Sequence, residues 1–296
     1  MYLWRRLASQ KWWSDNEEEL CAVAGNRLAI IERADRKRLQ LKVASRSRTE
    51  LHNLTKQFAG RVEKLPRDWL RRFSQKQKTK PLRIGQRLIV VRSPKDQSSA
   101  KRLIIPAGTA FGTGEHATTA MSLRLLEKLT RRWRPGWSIV DLGTGSGILA
   151  LAAKRFGAGH VVGMDNDPTA ISTAKSNARL NKIHGVVFRL GDVLKREWPR
   201  NADVITANLY SHLLIEIVPK SNPNRWLIFS GILRSQKDAL LRALQRNDIE
   251  IRSIKHRGKW IAVLAYSSGA VRAPELPGLK VLRRSQTAVT VKIDAK

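Results

Sequence analysis

A glycine-rich turn is the segment whose residue types and spacing most clearly indicate chemistry. Residues 140–147 (VDLGTGSG) follow a predicted strand and open a predicted helix. The glycines Gly143, Gly145 and Gly147 let the backbone turn sharply and let a ligand approach without a Cβ in the way. The next predicted strand ends in Asp165, 18 residues after Gly147. A carboxylate there is suited to accepting hydrogen bonds from both hydroxyls of a ribose, so the pattern predicts a nucleoside-containing ligand.

The spacing of these glycines distinguishes between cofactors. A dinucleotide fingerprint needs a third glycine three residues after the second, and that position holds Ile148. The pattern Gly-x-Gly-x-Gly is instead the usual signature of enzymes that use S-adenosylmethionine. The sequence therefore predicts S-adenosylmethionine as the cofactor, bound by the three glycines and by Asp165.

A further acidic residue, Asp192, follows the next predicted strand in the segment Leu190-Gly191-Asp192. Its position allows a contact with the amino group of an adenine. The same position suits an aspartate that caps the following helix. Both roles of Asp192 stay open.

A second glycine-containing segment, residues 110–119 (AFGTGEHATT), precedes the first strand of this series. Its two glycines predict a flexible loop that folds over the donor, and Thr118 and Thr119 begin a predicted helix. No second His or Cys lies at metal-ligand spacing from His116, so we predict no metal site. A structural role for His116 is favoured over a catalytic one.

Asn208 ends the fourth predicted strand of the series, within residues 206–210 (TANLY). In this architecture the position faces the transferring methyl group, and an Asn carbonyl and adjacent backbone carbonyls can accept hydrogen bonds from an amine. Enzymes that methylate the amino groups of bases usually have Asn-Pro-Pro-Tyr or Asp-Pro-Pro-Tyr there. This chain lacks those prolines, which argues against that class.

The elements that position these residues alternate between strand and helix after residue 106. Predicted strands cover residues 138–142, 161–164, 186–190, 204–207, 226–229, 250–254 and 260–265, and predicted helices cover 148–156, 168–180 and 237–245. This alternation predicts an α/β fold, a seven-stranded Rossmann-like sheet with ligands at the carboxyl ends of its strands. Upstream, a small α+β module is predicted from a helix, strands 27–33 and 38–44 and helix 49–58, followed by strands 83–91 and 101–105.

The charge of the chain is unusual for its otherwise globular composition. The 296 residues include 56 Lys and Arg but only 24 Asp and Glu, a net charge of +32 that is spread along the whole sequence. Such a field attracts polyanions, nucleic acid first among them. The alternative is a solvated basic surface that reflects a general amino-acid bias of the source.

The remaining features of the sequence indicate the cellular compartment in which the protein is located. No run approaches 18 apolar residues, and residues 1–13 do not have the features of a secretory signal, so we predict no membrane association. The single cysteine, Cys21, excludes an internal disulfide and a cysteine-based metal site. Together these features predict a cytoplasmic location.

Several of these motifs together resemble one family, the ribosomal protein L11 methyltransferases (PrmA). The resemblance runs through residues 69–265. It rests on residues 111–119 (FGTGEHATT), 141–147 with the continuation 148–153 (ILALAA), 165–168 (DNDP), 207–209 (ANL), 230–233 (SGIL) and Trp260, and on the connector residues 68–69 (DW) and 84–88 (IGQRL).

The resemblance implies a class I, S-adenosylmethionine-dependent methyltransferase that methylates lysine side chains, and sometimes an α-amine, of a large-subunit ribosomal protein. It implies donor-binding positions at Thr119, Gly143, Asp165 and Asn208, with Asn208 and Thr119 lining the site of transfer. A lysine with its ordinary pKa of about 10.4 costs about 4–5 kcal/mol to present as a neutral amine at pH 7. The positive charge of the donor and an apolar site lower that pKa, so we expect no dedicated general base.

The predicted domains are a small α+β substrate-recognition domain (1–65), a linker (66–106), a methyltransferase domain (107–266) and a C-terminal tail (267–296). The family's first region is usually longer, acidic and ferredoxin-like, whereas residues 1–65 are short and basic, and Tyr210 stands where the family generally has a small residue. The expected partner is a ribosomal protein, with ribosomal RNA as a further contact of the basic surface. Two alternatives stay open, an RNA methyltransferase and a catalytically inactive, basic RNA-binding protein with a methyltransferase fold.

Overall fold

The computed structural model describes residues 1–32, 38–66, 81–93, 101–106, 114, 116–195, 199, 201–220 and 224–268. Outside these residues lie most of the loop at 110–115, the motif at 68–69 and nearly all of the tail predicted at 267–296. The described residues form sheets of four, three and seven strands.

The N-terminal residues form an antiparallel sheet with two helices. Its elements are β1 (Tyr2–Ser9), α1 (Gln10–Ala24), β2 (Leu28–Glu32), β3 (Arg38–Ser45), α2 (Arg48–Phe58) and β4 (Arg61–Lys64). The strand order β2-β3-β1-β4 and the chain order βαββαβ make this a complete ferredoxin-like unit. The sequence predicted α2, β2 and β3 close to their observed bounds, but not the strands β1 and β4.

The connector contributes a small sheet of its own. It consists of β5 (Leu82–Ile84), β6 (Leu88–Val91) and β7 (Arg102–Ile104). The single strand predicted at 83–91 is wrong, because the chain turns at Gly85 with φ of 52° and pairs β5 with β6. Asn181 attaches this sheet to the larger domain, since its side chain bonds both the amide nitrogen (2.6 Å) and the carbonyl oxygen (2.7 Å) of Ile104.

The largest sheet confirms the predicted seven-stranded Rossmann-like architecture. Its strands are β8 (Ser138–Leu142), β9 (His160–Asp165), β10 (Val186–Leu190), β11 (Val204–Asn208), β12 (Arg225–Leu233), β13 (Ile249–Arg257) and β14 (Trp260–Ser267), in the order β10-β9-β8-β11-β12-β14-β13. The helices are α3 (Ala117–Thr130), α4 (Ile148–Arg155), α5 (Pro168–Leu180), α6 (Ser211–Ile217) and α7 (Lys237–Arg246). Strand β14 is antiparallel to both of its neighbours.

Both faces of this sheet are covered by apolar side chains. Ile139 and Val140, consecutive in β8, belong to different buried clusters because successive strand residues point to opposite faces. The cluster that contains Ile139 also contains Trp4 and Trp13 of the N-terminal unit. The strand order reverses between β8 and β11, and the crevice at their carboxyl ends is where ligands bind in open α/β sheets.

Candidate active site

The glycine-rich turn leaves β8 in a conformation that favours glycine. The φ angles of Gly143, Gly145 and Gly147 are 68°, 54° and 79°. A Cβ on Gly143 would lie 2.3 Å from Cδ2 of Leu209, so any larger residue there requires that the Leu209 side chain move. Gly143 and Gly145 line a cavity of about 420 Å³. Gly147 instead packs where a Cβ would touch Ala174 and Phe188 at 3.0 and 3.1 Å, and helix α4 begins directly after it.

The carboxylate of Asp165 is fixed by the backbone of two turns. Its Oδ2 accepts a hydrogen bond from the amide of Gly145 at 2.9 Å, and its Oδ1 accepts one from the amide of Asp167 at 3.1 Å. Asp165 is 2% exposed and lines the same cavity. A carboxylate oxygen has two lone pairs and can accept more than one hydrogen bond, which is compatible with a contact to the hydroxyls of a ribose.

Asp141 has a structural role that sequence reasoning did not assign. Its carboxylate accepts hydrogen bonds from the hydroxyls of Thr144 (2.6 Å) and Thr206 (2.7 Å), which connects the glycine-rich turn to β11. Burial raises the pKa of Asp141 to about 6. Asp141 therefore shapes the glycine-rich turn through its hydrogen bonds with Thr144 in that turn and Thr206 in β11.

Asp192 makes the capping contact that the sequence left open. Its Oδ1 accepts a hydrogen bond from the amide of Leu194 at 2.9 Å, at the start of the short 3₁₀ turn Val193–Lys195. Asp192 also lines the cavity, so the position is compatible with an adenine contact as well.

Asn208 and Thr119 are adjacent, as expected, but only Asn208 lines the cavity. Nδ2 of Asn208 donates to Oγ1 of Thr119 at 3.3 Å. Thr119 is 1% exposed and lies behind Asn208, and its neighbour Thr118 contributes to the lining instead. Oδ1 of Asn208 is buried and has no hydrogen-bond partner among the described residues. Thr119 thus orients the amide, and the acceptor oxygen of Asn208 has no partner among the described residues.

His116 is held by its neighbours at another wall of the cavity. Its Nδ1 lies 2.7 Å from Oγ1 of Thr118, and its ring meets Trp260 edge to face with centroids 4.9 Å apart. Burial, together with the nearby Lys259 and Arg257, lowers the pKa of His116 to about 4, so the imidazole is neutral at physiological pH. Among the described residues no three His, Cys, Asp or Glu side chains are grouped to hold a metal.

The model of one protein family, described as Ribosomal protein L11 methyltransferase (PrmA), matches residues 10–267 of the chain. The chain belongs to this family. The resemblance inferred from the motifs is confirmed, and the seven-stranded domain has the fold of a class I methyltransferase.

Relatives in the PrmA family show how far the similarity extends. Ribosomal protein L11 methyltransferase of Pelotomaculum thermopropionicum is 36% identical over 67% of this chain and 65% of the relative. The enzyme of that name from Symbiobacterium thermophilum is 37% identical over 63% of this chain and 62% of the relative. The chain therefore matches less than two thirds of the length of these two relatives. A crystal structure of ribosomal protein L11 methylase from Lactobacillus delbrueckii subsp. bulgaricus has a TM-score of 0.58 and 27% identity, and the similarity covers 64% of this chain and 99% of that chain.

In this PrmA-family chain the N-terminal unit forms one wall of the cavity. Helix α1 contributes Glu18 and Cys21 to it, and the segment after the helix contributes Arg27 and Leu28. The hydroxyl of Tyr210 donates to the carbonyl oxygen of Leu28 at 3.2 Å. The side chain that differs from the family's usual small residue is therefore the one that contacts the N-terminal unit.

Helix α6 contributes a group of side chains to the cavity that sequence reasoning missed. His212 and Glu216 line the cavity, and the His212 ring lies parallel to that of Tyr210, with centroids 6.2 Å apart and an interplanar angle of 6°. His212 and Glu216 lie 194 and 198 positions after Glu18 in the sequence and follow no recognisable spacing, so only the tertiary structure brings them together. In the part of the chain that the structure describes, no helix is long and apolar enough to cross a membrane.

Proposed function

We propose that this chain is an S-adenosylmethionine-dependent protein methyltransferase that acts on lysine side-chain nitrogens, and on an α-amino nitrogen, of a large-subunit ribosomal protein of the L11 type. Membership of the PrmA family and the names of its relatives support this activity and substrate. The observation that carries the proposal is the buried Oδ1 of Asn208, an oriented acceptor at the carboxyl end of β11. An amine is the kind of group that such an oxygen holds.

The residues around the glycine-rich turn fit the methyl donor. The Cβ-free approach at Gly143 and the fixed carboxylate of Asp165 suit the nucleoside part, and we assign Gly145 and Asp192, which line the cavity, to the same site. Gly147, predicted to bind the donor, packs against Ala174 and Phe188, so its proposed part is indirect, through the shape of the turn. S-adenosylmethionine supplies, when bound, a methyl group on a positively charged sulfur. Thr119 acts from behind by fixing the amide of Asn208, so its proposed part in catalysis and donor binding is indirect.

Asn208 would position the acceptor rather than activate it. Its Oδ1 accepts a hydrogen bond from the amine and aims the nitrogen lone pair, while Nδ2 is held by Thr119. Holding two reactants in a productive geometry is a large source of rate enhancement. Thr119 is buried in helix α3 and Asn208 is half-buried at the end of β11, so both partners belong to regular elements that restrict their movement.

The domain roles follow the predicted division. Residues 107–266 would form the methyltransferase domain, 66–106 the linker and 267–296 a tail, and residues 1–65 would recognise the substrate. The wall that α1 contributes to the cavity supports that last role. The net charge of +32 would help the enzyme to meet its substrate near ribosomal RNA in the cytoplasm, where ribosomal proteins are assembled.

The test is transfer of radiolabelled methyl from S-adenosylmethionine into a ribosome-free extract of a strain that lacks this protein. The label is then divided into protease-sensitive and nuclease-sensitive fractions. Label in one small protease-sensitive band with the mass of ribosomal protein L11 supports the proposal. Label that only nuclease removes would establish an RNA methyltransferase instead. No label in either fraction, with donor-independent and salt-sensitive RNA binding, would identify an inactive RNA-binding protein.

A further inference from the structure

His212 is a titratable group in the cavity that the mechanism above does not use. It lies in the first turn of α6, four residues after Asn208. The side chain is half-buried, and its Nδ1 is buried without a hydrogen-bond partner among the described residues. His212 and Asn208 line the same cavity.

Two carboxylates flank this imidazole from opposite domains. Glu18 comes from α1 and Glu216 from α6, one helical turn after His212, and both are exposed while lining the cavity. Their negative charges favour a proton on His212, and burial opposes it and lowers the pKa of the imidazole. The imidazole is therefore neutral at physiological pH and in the form that accepts a proton.

The other polar groups on this wall are already paired. Arg27 forms an ion pair with Glu50, and the Tyr210 hydroxyl donates a hydrogen bond to the carbonyl oxygen of Leu28. Glu17, which faces Tyr210, is hydrogen-bonded by Gln236.

The opening of the cavity is acidic because Glu18 and Glu216 lie there, which is exceptional on a chain with a net charge of +32. A cation is repelled by the protein as a whole but attracted at close range to two carboxylates at the cavity rim. The acceptor must also lose a proton before each methyl transfer, because only a neutral amine has a lone pair to donate. The N-terminal unit covers this side of the cavity. His212, which lines the cavity there, is therefore well placed to receive the proton of the acceptor ammonium.

We propose that Glu18, His212 and Glu216 form an acceptor subsite, in which the carboxylates attract the primary ammonium of a lysine side chain and His212 accepts its proton. The inference rests on the proposed function and names the residues that select its substrate class. It replaces the expectation from the sequence that no dedicated general base is needed, because His212 now has that role. The ammonium gives one proton to the neutral imidazole, which leaves a neutral amine near Asn208 and an imidazolium near the rim carboxylates. The imidazolium then releases the proton to solvent and is ready for the next transfer.

The first experiment measures methyl transfer to recombinant ribosomal protein L11 between pH 6.5 and 9.5 for the wild type and His212→Gln. We expect kcat of the variant to be at least tenfold lower at pH 7 and to approach the wild-type value as pH rises, because more of the lysine then arrives neutral. Glu18→Gln and Glu216→Gln should raise KM severalfold, and the matched control Asp15→Asn, an exposed charge on α1, should not. Donor affinity should stay within twofold throughout.

A second experiment has a readout other than activity. The ring resonances of His212 are identified by their absence from His212→Gln, and the wild type is titrated with n-butylammonium or with the neutral isostere 1-butanol. We expect n-butylammonium alone to shift these resonances, and the Glu18→Gln/Glu216→Gln double variant to reduce the shift.

The outcomes separate the two proposals. A wild type that methylates ribosomal protein L11 while His212→Gln is unimpaired, or is slowed equally at every pH, overturns the proton-accepting role. A wild type that methylates no ribosomal protein contradicts the proposed function, and the resonance titration then decides the subsite by itself. Equal shifts with 1-butanol, or no shift with n-butylammonium, overturn it.

Discussion

The hydroxyl of Tyr210 donates a hydrogen bond to the carbonyl oxygen of Leu28 across 3.2 Å, and so connects the segment that follows β11 to the N-terminal unit. Tyr210 lies two residues after Asn208, and Leu28 begins β2. A second cross-link joins Gln236 to Glu17 of α1. Because these contacts flank the cavity, a shift of the N-terminal unit changes the wall that an acceptor meets.

Tyr210→Phe removes this hydrogen bond and leaves the carbonyl of a buried residue without its donor. We expect the free energy of unfolding to fall by about 1 kcal/mol, measured by urea denaturation followed through tryptophan fluorescence. Tyr266→Phe makes the same chemical change at the end of β14 far from Trp260 and is the matched control. A loss of stability no larger than that of Tyr266→Phe would show that the Tyr210–Leu28 hydrogen bond does not stabilise the packing of the N-terminal unit on the large domain.

Asn208→Ala removes the oriented acceptor oxygen but leaves the glycine-rich turn and Asp165 in place. We expect kcat to fall at least about 100-fold through lost positioning of the amine, with the dissociation constant of S-adenosylmethionine changed less than about threefold. Equilibrium dialysis and single-turnover methyl transfer measure the two quantities. Asn247→Ala, at the carboxyl end of α7, is the control, and unchanged turnover in Asn208→Ala would remove the proposed role.

Gly143→Ala combines two effects that a control separates. The left-handed backbone at φ of 68° costs a non-glycine residue about 1–2 kcal/mol, and the new Cβ also meets Leu209 at 2.3 Å. Gly258→Ala has the first effect alone, since its φ is 59° and nothing lies within 4 Å of its Cβ. We expect Gly143→Ala to lose more stability than Gly258→Ala and at least tenfold in donor affinity.

Adding Leu209→Ala to Gly143→Ala tests the cause of that loss. Removing the obstructing side chain should restore part of the donor affinity, because only the backbone strain then remains. A double variant as weak as Gly143→Ala would show that the contact with Leu209 does not limit binding.

Glu17 predicts a pH dependence of stability. Burial raises the pKa of Glu17 to about 7, so between its unfolded value near 4.5 and pH 7 the folded state binds more protons than the unfolded state. The contribution of Glu17 to the free energy of unfolding is therefore lost as pH rises through this window, by up to about 3 kcal/mol. Glu17→Gln stays neutral, so its stability relative to the wild type should increase from pH 5 to pH 8. Glu19→Gln, at an exposed position of α1, is the matched control. The difference between its free energy of unfolding and that of the wild type should be the same at pH 5 and pH 8.

Most of the large domain could be predicted from the sequence, because its signals are local. Strand β8, helix α5 and strand β10 have the predicted bounds, since short apolar runs, a proline at the first helical position and flanking glycines act within a few residues. Strands β1 and β4 were missed because Arg5 and Arg6 interrupt the apolar residues of Tyr2–Ser9, and because Arg61–Lys64 is short and mostly charged. Both become strands by pairing, β1 with β3 and β4, and β4 with β1.

The sequence by itself predicted the donor half of the proposed site and its chemistry, because a glycine-rich turn, a carboxylate at the end of the next strand and Asn208 at the end of β11 are set by local order along the chain. Only the tertiary structure decided the acceptor half. Glu18 and His212 have no fixed spacing, and they meet because the ferredoxin-like unit packs its first helix over the carboxyl ends of the sheet. Packing between distant segments depends on the shape and apolar area of both surfaces, which no local pattern records.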